Sequence, residues 1–335
     1  MYRNIRSRKG RHRKGAPPED QAGTVLLLVI LVLALISVLI LSWAQEWRTE
    51  LRLAANFREA HQCRRLAEAG VYYALGKLVS TKIEEAGRLQ QQMGTPVTED
   101  RPPPAWQGDQ RPHLLELPGG WAEIRMADEG GKINLNRAPE NILLNLFTVL
   151  GFSPEKVRTM VDSIQDWRSR GDAPRPYGAK SGYYLSLDPP YVAKNSNFEA
   201  VTELAWVRGF ENSPMIPRLC EWLTVQGVSL GVNVNTAPLE VLLAMGLPPE
   251  VCPTIIATRR TMPFRNFQEI SQMSPDPRLA QQQMLTFHSS PFFTIKSTGM
   301  VNKHKGRHTI QAVVRVEFSA AELWEIIAWL DSFPG

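Results

Sequence analysis

Cysteine is scarce in this sequence of 335 residues, which contains only Cys63, Cys220 and Cys252. Their spacing fits no metal-ligand motif, and they are too few for a disulfide-rich scaffold. The six histidines are scattered, and neither a nucleophile motif nor a metalloprotease spacing is present. These absences predict a protein that is not an enzyme.

Net charge is also missing from most of the chain. Residues 1–23 hold seven Lys or Arg residues against two acidic ones, and this excess of five equals the formal charge of +5 for the whole sequence. Everything after Gly23 is therefore neutral in sum. A nucleic-acid-binding surface, which would need a basic excess, is not expected there.

Residues 21–45 carry no charged side chain, and the run from Val25 to Ala44 is apolar except for Ser37 and Ser42. At ~1.5 Å per residue, a helix of this length crosses a hydrocarbon core of ~30 Å. A secretory signal has a shorter apolar region, usually ~7–15 residues, and ends in small residues at its cleavage site. The basic residues before the run predict a cytoplasmic N-terminus, with the bulk of the chain across the membrane.

The stretch from Glu46 to Leu78 contains no proline, so we expect the membrane helix to continue through it without a break. The combined helix would be roughly 50 residues long. At helical spacing one predicted apolar stripe forms along this stretch. Its members are Leu51, Ala55, Leu66, Ala69 and Tyr73.

Two segments about a hundred residues apart repeat each other. INLNRAPENILL begins at Ile133 and VNVNTAPLEVLL begins at Val232, and each is followed by a Gly-x-x-Pro-Glu turn and a second helical pattern. This indicates a duplicated helix–turn–helix unit. Asn136 and Asn235 are predicted to be N-caps or turn formers, with the proline in the first helical turn.

Alternating apolar and polar residues predict an antiparallel sheet from segments on both sides of these repeats. The last apolar segment, ELWEIIAWL, could form a helix or a strand, and its alternation favours a strand. The helical segments and this sheet together predict an α+β fold. The predicted strands are His113–Leu117, Trp121–Ala127, Phe292–Met300 and His308–Phe318.

Three motifs resemble one known family. QAG precedes the apolar helix, the N-x-N-x-A-P repeats follow, and between them stands YYLSLDPPY with F-x-x-V-x-E-L-x-x-V-R-G after it. Together they closely resemble pseudopilin K of type II secretion. The resemblance implies that the long N-terminal helix packs on a small antiparallel sheet and that a large all-α domain is inserted into this pilin-like body. It implies five segments: a basic prepilin leader (1–23), a transmembrane part (24–45), a pilin-like body in two pieces (46–132 and 288–335) and an inserted helical domain (133–287).

The resemblance also implies processing and a place in an assembly. Prepilin peptidase would cut between Gly23 and Thr24, and Thr24 would be N-methylated, although the family prefers a bulkier residue there. Leu28 is the fifth mature residue, where related pilins usually have the glutamate that pairs with a neighbouring subunit. The implied protein is a minor pseudopilin at the tip of a periplasmic pseudopilus, which initiates or caps assembly with I- and J-type minor pseudopilins and other type II secretion components. It would sit in the bacterial inner membrane with its bulk in the periplasm.

Members of this family can bind calcium in the helical domain through clustered carboxylates. Here the candidate ligands are Asp166, Asp172 and Asp188. Nearby basic residues, among them Arg170 and Lys180, would oppose a divalent ion, so the sequence leaves calcium binding open.

A disulfide between Cys220 and Cys252 is also left open. Both lie in the predicted extracytoplasmic insertion, where the compartment is oxidising. Sequence does not give the distance between their Cα atoms, which must be within ~7 Å for a bond.

The alternative is a membrane-anchored DNA-uptake protein, because VNVNTAP and the helices after it are similar to helix-hairpin-helix modules. Such hairpins bind phosphate through backbone N–H groups beside two close glycines. GFSPEK and GLPPEV each have one glycine and add a glutamate where a phosphate would approach. The sequence therefore favours protein packing over nucleic acid.

Overall fold

The computed structural model describes residues 20–91, 106–227, 229–273, 284–301, 306–317 and 323–332. The chain divides into two compact units, Met1–Glu59 and Ala60–Gly335. The predicted α+β class is confirmed, because a long N-terminal helix, an antiparallel sheet and several shorter helices are all present.

Helix α1 runs from Asp20 to Gln91 as one element of 72 residues. This confirms the unbroken helix that the sequence predicts and extends it past the expected end at Leu78. In the first unit, every side chain described between residues 23 and 58 is exposed. In the second unit, α1 alternates between buried and exposed positions, as a helix packed on one side does.

The buried stripe of α1 is not the predicted one, because Ala69 and Tyr73 are exposed and small residues face the sheet instead. At Gly70 an added Cβ would collide with Ser297, and at Gly299 it would collide with the backbone of α1. Glycine at both positions thus lets helix and sheet approach closely. The buried residues of the stripe are Cys63, Leu66, Ala67, Gly70, Val71, Ala74, Leu75 and Leu78.

The main sheet has five antiparallel strands. Its central strands alternate between buried and less buried residues, so the face toward α1 is apolar. Each of the four predicted strands is present within two residues of its expected ends, although Phe318 lies outside the described residues. In their order across the sheet the strands are β1 (His113–Leu117), β2 (Gly120–Asp128), β7 (Phe292–Val301), β8 (Arg307–Val316) and β9 (Trp324–Ser332).

The C-terminal segment is a strand, as its alternation predicts. β9 pairs antiparallel with β8, with a register shift between Val313 and Val314. Asp331 of β9 accepts from the buried ring of His308 and forms an ion pair with Arg64 of α1 at 2.8 Å. These contacts attach the edge strand to the helix as well as to its neighbour.

Between β2 and β7 the chain forms a helical insertion with its own buried core, which extends from residue 133 to residue 270. The core between α1 and the sheet is a separate cluster. Two short parallel ladders join segments of the insertion, β3 (Ile133–Asn134) with β4 (Leu223–Thr224) and β5 (Val232–Asn233) with β6 (Leu285–Thr286). Its helices are α2 (Glu140–Val149), α3 (Pro154–Arg168), α4 (Ser181–Tyr184), α5 (Ile216–Leu219), α6 (Leu239–Ala244), α7 (Cys252–Thr258) and α8 (Phe267–Ser271).

Candidate assembly site

The apolar part of α1 is fully available for contacts with other molecules. Between Val25 and Leu41 its large hydrophobic side chains are 43–70% exposed, and Leu28 is 63% exposed. Among the described residues, one helix is long and apolar enough to cross a membrane, and it is this one. Contact of this apolar surface with water is unfavourable, so lipid or other apolar helices are needed to cover it.

Gly23 and Thr24 lie inside α1. A Cβ added at Gly23 would have no atom within 4 Å, and the backbone of Gly23 does not have a positive φ. The fold therefore gives no reason for glycine at this position, and other residues would favour the helix more. A requirement for Gly23 would have to come from another protein that acts on the chain.

Exposed apolar side chains continue along α1 beyond the predicted membrane span. The rings of Trp43 and Trp47 meet edge to face with their centroids 6.0 Å apart. Beyond them Leu51, Leu53 and Phe57 are each more than half exposed. Large apolar side chains of this kind on a helix surface indicate a site of contact with a partner or with the membrane interface.

The insertion is joined to the sheet at Asp128, the last residue of β2, whose side chain is almost fully buried. Its two carboxylate oxygens accept hydrogen bonds from five donors in three separate segments. Burial raises the pKa of Asp128 above its ordinary value, while these donors act in the opposite direction. The donors are Gly130 N (2.9 Å), Asn233 Nδ2 (2.8 Å), Thr236 Oγ1 (3.0 Å), Ser290 N (3.1 Å) and Ser290 Oγ (2.7 Å).

A buried ion pair lies next to this joint. Lys132 and Glu129 are 7% and 6% exposed, and the Lys132 ammonium donates to the Glu129 carboxylate. Thr294 of β7 donates to the same carboxylate at 2.7 Å. The place where the chain leaves the sheet is therefore held by two buried carboxylates, each bonded to the returning strand or the residues before it.

The repeated asparagines bind distant backbone. Asn136 accepts from the amide of Phe198 at 2.7 Å and donates to its carbonyl at 2.9 Å, and Asn235 does the same with Phe264 at 2.8 Å for both bonds. Of the two predicted roles, that of N-cap is wrong, because Pro139 and Pro238 occupy the N-cap positions of α2 and α6, whereas that of turn former is confirmed, because both asparagines lie in turns. Their side chains instead hold a second segment against the turn, which is a structural role.

Each repeat also has an arginine that sequence reasoning missed. Arg168 donates to the carbonyls of Leu135 (2.5 Å) and Ala138 (2.8 Å), and Arg259 donates to those of Val234 (2.6 Å) and Ala237 (2.7 Å). Burial lowers the pKa of both guanidinium groups to about 10, so they remain charged at neutral pH. Arg168 lies in the string WRSR and Arg259 in the string TRRT. The two arginines do not align when the repeats are compared without gaps, so the sequence comparison does not pair them.

The three candidate calcium ligands are not brought together. Asp172 and Asp188 are exposed, whereas Asp166 is 2% exposed and accepts from the amide of Arg175 at 3.0 Å. Burial raises the pKa of Asp166 above its ordinary value. Within the ranges that the structure describes, no three His, Cys, Asp or Glu side chains form a group that could hold a metal ion. The expectation of a carboxylate cluster is therefore wrong: Asp166 is buried, and Asp172 and Asp188 are exposed to solvent.

Cys220 and Cys252 are separate thiols in the structure and not a disulfide. Cys252 is buried at the start of α7 with its Sγ 3.9 Å from the carbonyl oxygen of Leu247. Cys220 follows α5 and is half-buried. Burial raises the pKa of both thiols, for Cys252 to about 11, so neither favours the reactive thiolate.

Comparisons with known proteins point to one secretion family. A family model described as "Type II secretion system (T2SS), protein K" matches residues 125–227. The type II secretion system protein K of Pseudomonas aeruginosa is 28% identical over 239 residues, covering 67% of this chain and 68% of the relative. The protein of the same name from Klebsiella pneumoniae is 23% identical over 320 residues, covering 87% and 92%.

A solved structure has the same fold. A chain of the GspK-GspI-GspJ complex from the type 2 secretion system of enterotoxigenic Escherichia coli matches with a TM-score of 0.60 at 15% identity. The match covers 84% of this chain and 99% of that one. These relatives are secretion components, so the DNA-uptake alternative is not favoured.

Proposed function

We propose that this chain, which is similar to the type II secretion system protein K, works as a minor pseudopilin at the tip of a periplasmic pseudopilus. There it initiates or caps the assembly that exports proteins across the outer membrane. The family is a structural component and not an enzyme. The observation that carries the proposal is the exposed surface of α1, which is apolar along the run from Val25 to Ala44 and continues with the exposed side chains of Leu51, Leu53 and Phe57.

The tip position follows from the residue at position 28. A carboxylate in lipid is costly unless it is paired, so pilins that carry one there need a neighbouring subunit's amine. Leu28 has no charge that needs a partner, so this subunit can be the last one in the pseudopilus. The large insertion adds bulk that any further subunit would have to accommodate.

The partners that we propose are I- and J-type minor pseudopilins, because the structurally similar chain comes from a complex with proteins of those two types. Their long helices would cover the exposed apolar residues of α1, including Leu51 and Phe57. Prepilin peptidase would act first, between Gly23 and Thr24. The basic leader would stay on the cytoplasmic side of the inner membrane while the second unit folds in the periplasm.

Processing is tested by Gly23→Leu, with Gly76→Leu as a matched control at another α1 glycine that has no atom near its Cβ. The Gly23 variant should keep its leader and run at the precursor size, while the control should yield a mature chain that begins at methylated Thr24. Mass spectrometry of the N-terminus measures both. A Gly23 variant of mature size would overturn the peptidase assignment.

The role of residue 28 is tested by Leu28→Glu, with the uncharged Leu28→Gln as its control. We expect the carboxylate to let this subunit enter rows beyond the tip, because it can now pair with a neighbour's amine, and secretion should fall. Normal secretion with the subunit still confined to the tip would show that residue 28 does not decide its position.

Assembly is tested by co-purification of the full chain with I- and J-type minor pseudopilins from detergent. Leu51→Asp should reduce the recovered complex, because it places a charge on the proposed helix contact. Glu50→Asp, one residue away and conservative, is the control. Equal recovery of partners with both variants would exclude this part of α1 from the contact.

A further inference from the structure

The side chain of Lys180 is buried in the insertion, with 4% of its surface exposed. Its ammonium nitrogen is surrounded by four oxygen atoms, none of which belongs to a carboxylate. They are the carbonyl oxygen of Asp166 (2.6 Å), the carbonyl oxygen and Oγ of Ser169 (2.7 and 3.3 Å), and Oδ1 of Asn195 (2.9 Å). Carbonyl, hydroxyl and amide oxygens are also the neutral ligands that hard metal cations take in proteins.

The position of this group explains why a cation belongs there. α3 ends at Arg168, so its last carbonyls, including that of Asp166, form the negative end of the helix dipole. Asn195 reaches the same point with a φ of +51°, a left-handed conformation that asparagine tolerates better than most residues. A positive charge at this end of α3 is therefore favourable whether a side chain or an ion supplies it.

The segment from residue 169 to Lys180 folds back along α3 and is fixed to it at three points. Asp162 Oδ2 accepts from the amide of Tyr177 at 3.0 Å, and Asp166 Oδ2 accepts from the amide of Arg175 at 3.0 Å. The third point is the Lys180 ammonium. Through Asn195 the lysine also holds a third segment of the insertion, so it links parts of the chain that no helix joins directly.

The residues here do not fit the calcium site that the family resemblance implies. Calcium takes ~6–8 oxygen ligands with several carboxylates among them, and only Asp166 of the three candidates is near α3's end and buried. We propose that the Lys180 ammonium is a built-in cation that replaces a metal ion in this insertion. The folded return segment then needs no soluble divalent cation, and the oxygen cage would accept a small cation once the lysine is removed.

The first test uses the unaltered full chain in detergent. Its thermal unfolding and the amide hydrogen exchange of residues 175–180 should be the same in EDTA and in calcium chloride. Stabilisation by calcium, or loss of protection in EDTA, would show that the protein uses a metal ion here and would overturn the proposal. This test needs no variant and stands even if a variant fails to fold.

The second test compares Lys180→Ala, which empties the cage, with Lys180→Met, which fills it without charge. In EDTA both should lose protection at residues 175–180 by about tenfold or more, as expected when buried acceptors lose a charged donor. Methylammonium chloride, which supplies a small ammonium ion, should restore protection in Lys180→Ala and not in Lys180→Met.

Lys194→Ala is the matched control, because Lys194 is a more exposed lysine that pairs with the Glu203 carboxylate at 2.9 Å. It should change protection at residues 175–180 little, with or without added cations. Two results would overturn the proposal: unchanged protection in Lys180→Ala, or a loss there that methylammonium does not restore.

Discussion

The two repeats of the insertion share their contacts but not their lengths. Both hold an asparagine against a distant phenylalanine backbone and an arginine against two carbonyls of the turn. Yet α2 has 10 residues where α6 has 6, and α3 has 15 where α7 has 7. The second repeat is a shortened copy of the same unit.

The shortening occurs in steps of about one helical turn. Matching asparagines lie 99 residues apart, matching glycines (Gly151 and Gly246) 95 apart, and the two arginines 91 apart. Each step removes four residues, close to the 3.6 residues of one turn. Losing four residues rotates the rest of the helix by only ~40°, so the arginine still faces the carbonyls that it binds.

The repeats differ most in what their first asparagine binds. Asn134 donates to the carbonyls of Gln226 and Gly227, at 3.0 Å each, inside the insertion. Asn233 donates to Asp128 at the end of β2. The first repeat thus holds the insertion together, whereas the second attaches it to the sheet.

Asp128→Ala should have the largest effect, because it removes the attachment that only the second repeat has. Five donors would lose their acceptor, and we expect the free energy of unfolding to fall by about 3–5 kcal/mol. Denaturant unfolding of the full chain in detergent measures this. The exposed Asp188→Ala serves as control, and an equal change in both variants would show that the joint is not important for stability.

Arg259→Met and Arg168→Met compare the repeats directly. Each leaves two carbonyls without their donor, at a cost of about 2–3 kcal/mol. The loss should be greater for Arg259, since α6 and α7 are shorter and bury fewer residues than α2 and α3. A larger loss for Arg168 in the same unfolding measurement would contradict this order.

Asn235→Ala and Asn136→Ala should each cost about 1–2 kcal/mol, and their effects should be local. Hydrogen exchange should speed up at Phe264 in the first variant and at Phe198 in the second, because each amide loses its acceptor. Each variant is the control for the other. Faster exchange at both amides in either variant would mean that the repeats open together.

Asn145→Ala should have the smallest effect. Asn145 of α2 donates to the carbonyl of Ala244 in α6 at 3.0 Å, which joins the repeats, but its side chain is exposed. Water can replace this bond, so we expect a loss of about 0.5 kcal/mol. A loss as large as that of Asn235→Ala would show that this contact supports the core between the repeats.

Several elements were predictable because their signals are local. The unbroken α1 follows from the lack of proline, and the strands follow from alternation with period two. The side of α1 that packs was not predictable from hydrophobicity, since Ala67, Gly70 and Ala74 are buried for their small size. Leu51 and Tyr73, which look like core residues, are exposed.

The sequence by itself determined the long helix and the strands of the main sheet, that one helix is apolar enough for a membrane, and that the insertion contains a repeat. These properties depend on neighbours along the chain, which the order of residues records directly. Only the tertiary structure decided that Asp128 joins three segments, that two arginines bind the repeat turns, and that Lys180 and not a carboxylate cluster lies at the end of α3. Apart from the local bond between Gly130 and Asp128, those contacts connect residues 11 to 162 positions apart, and their distances exist only after the backbone has folded.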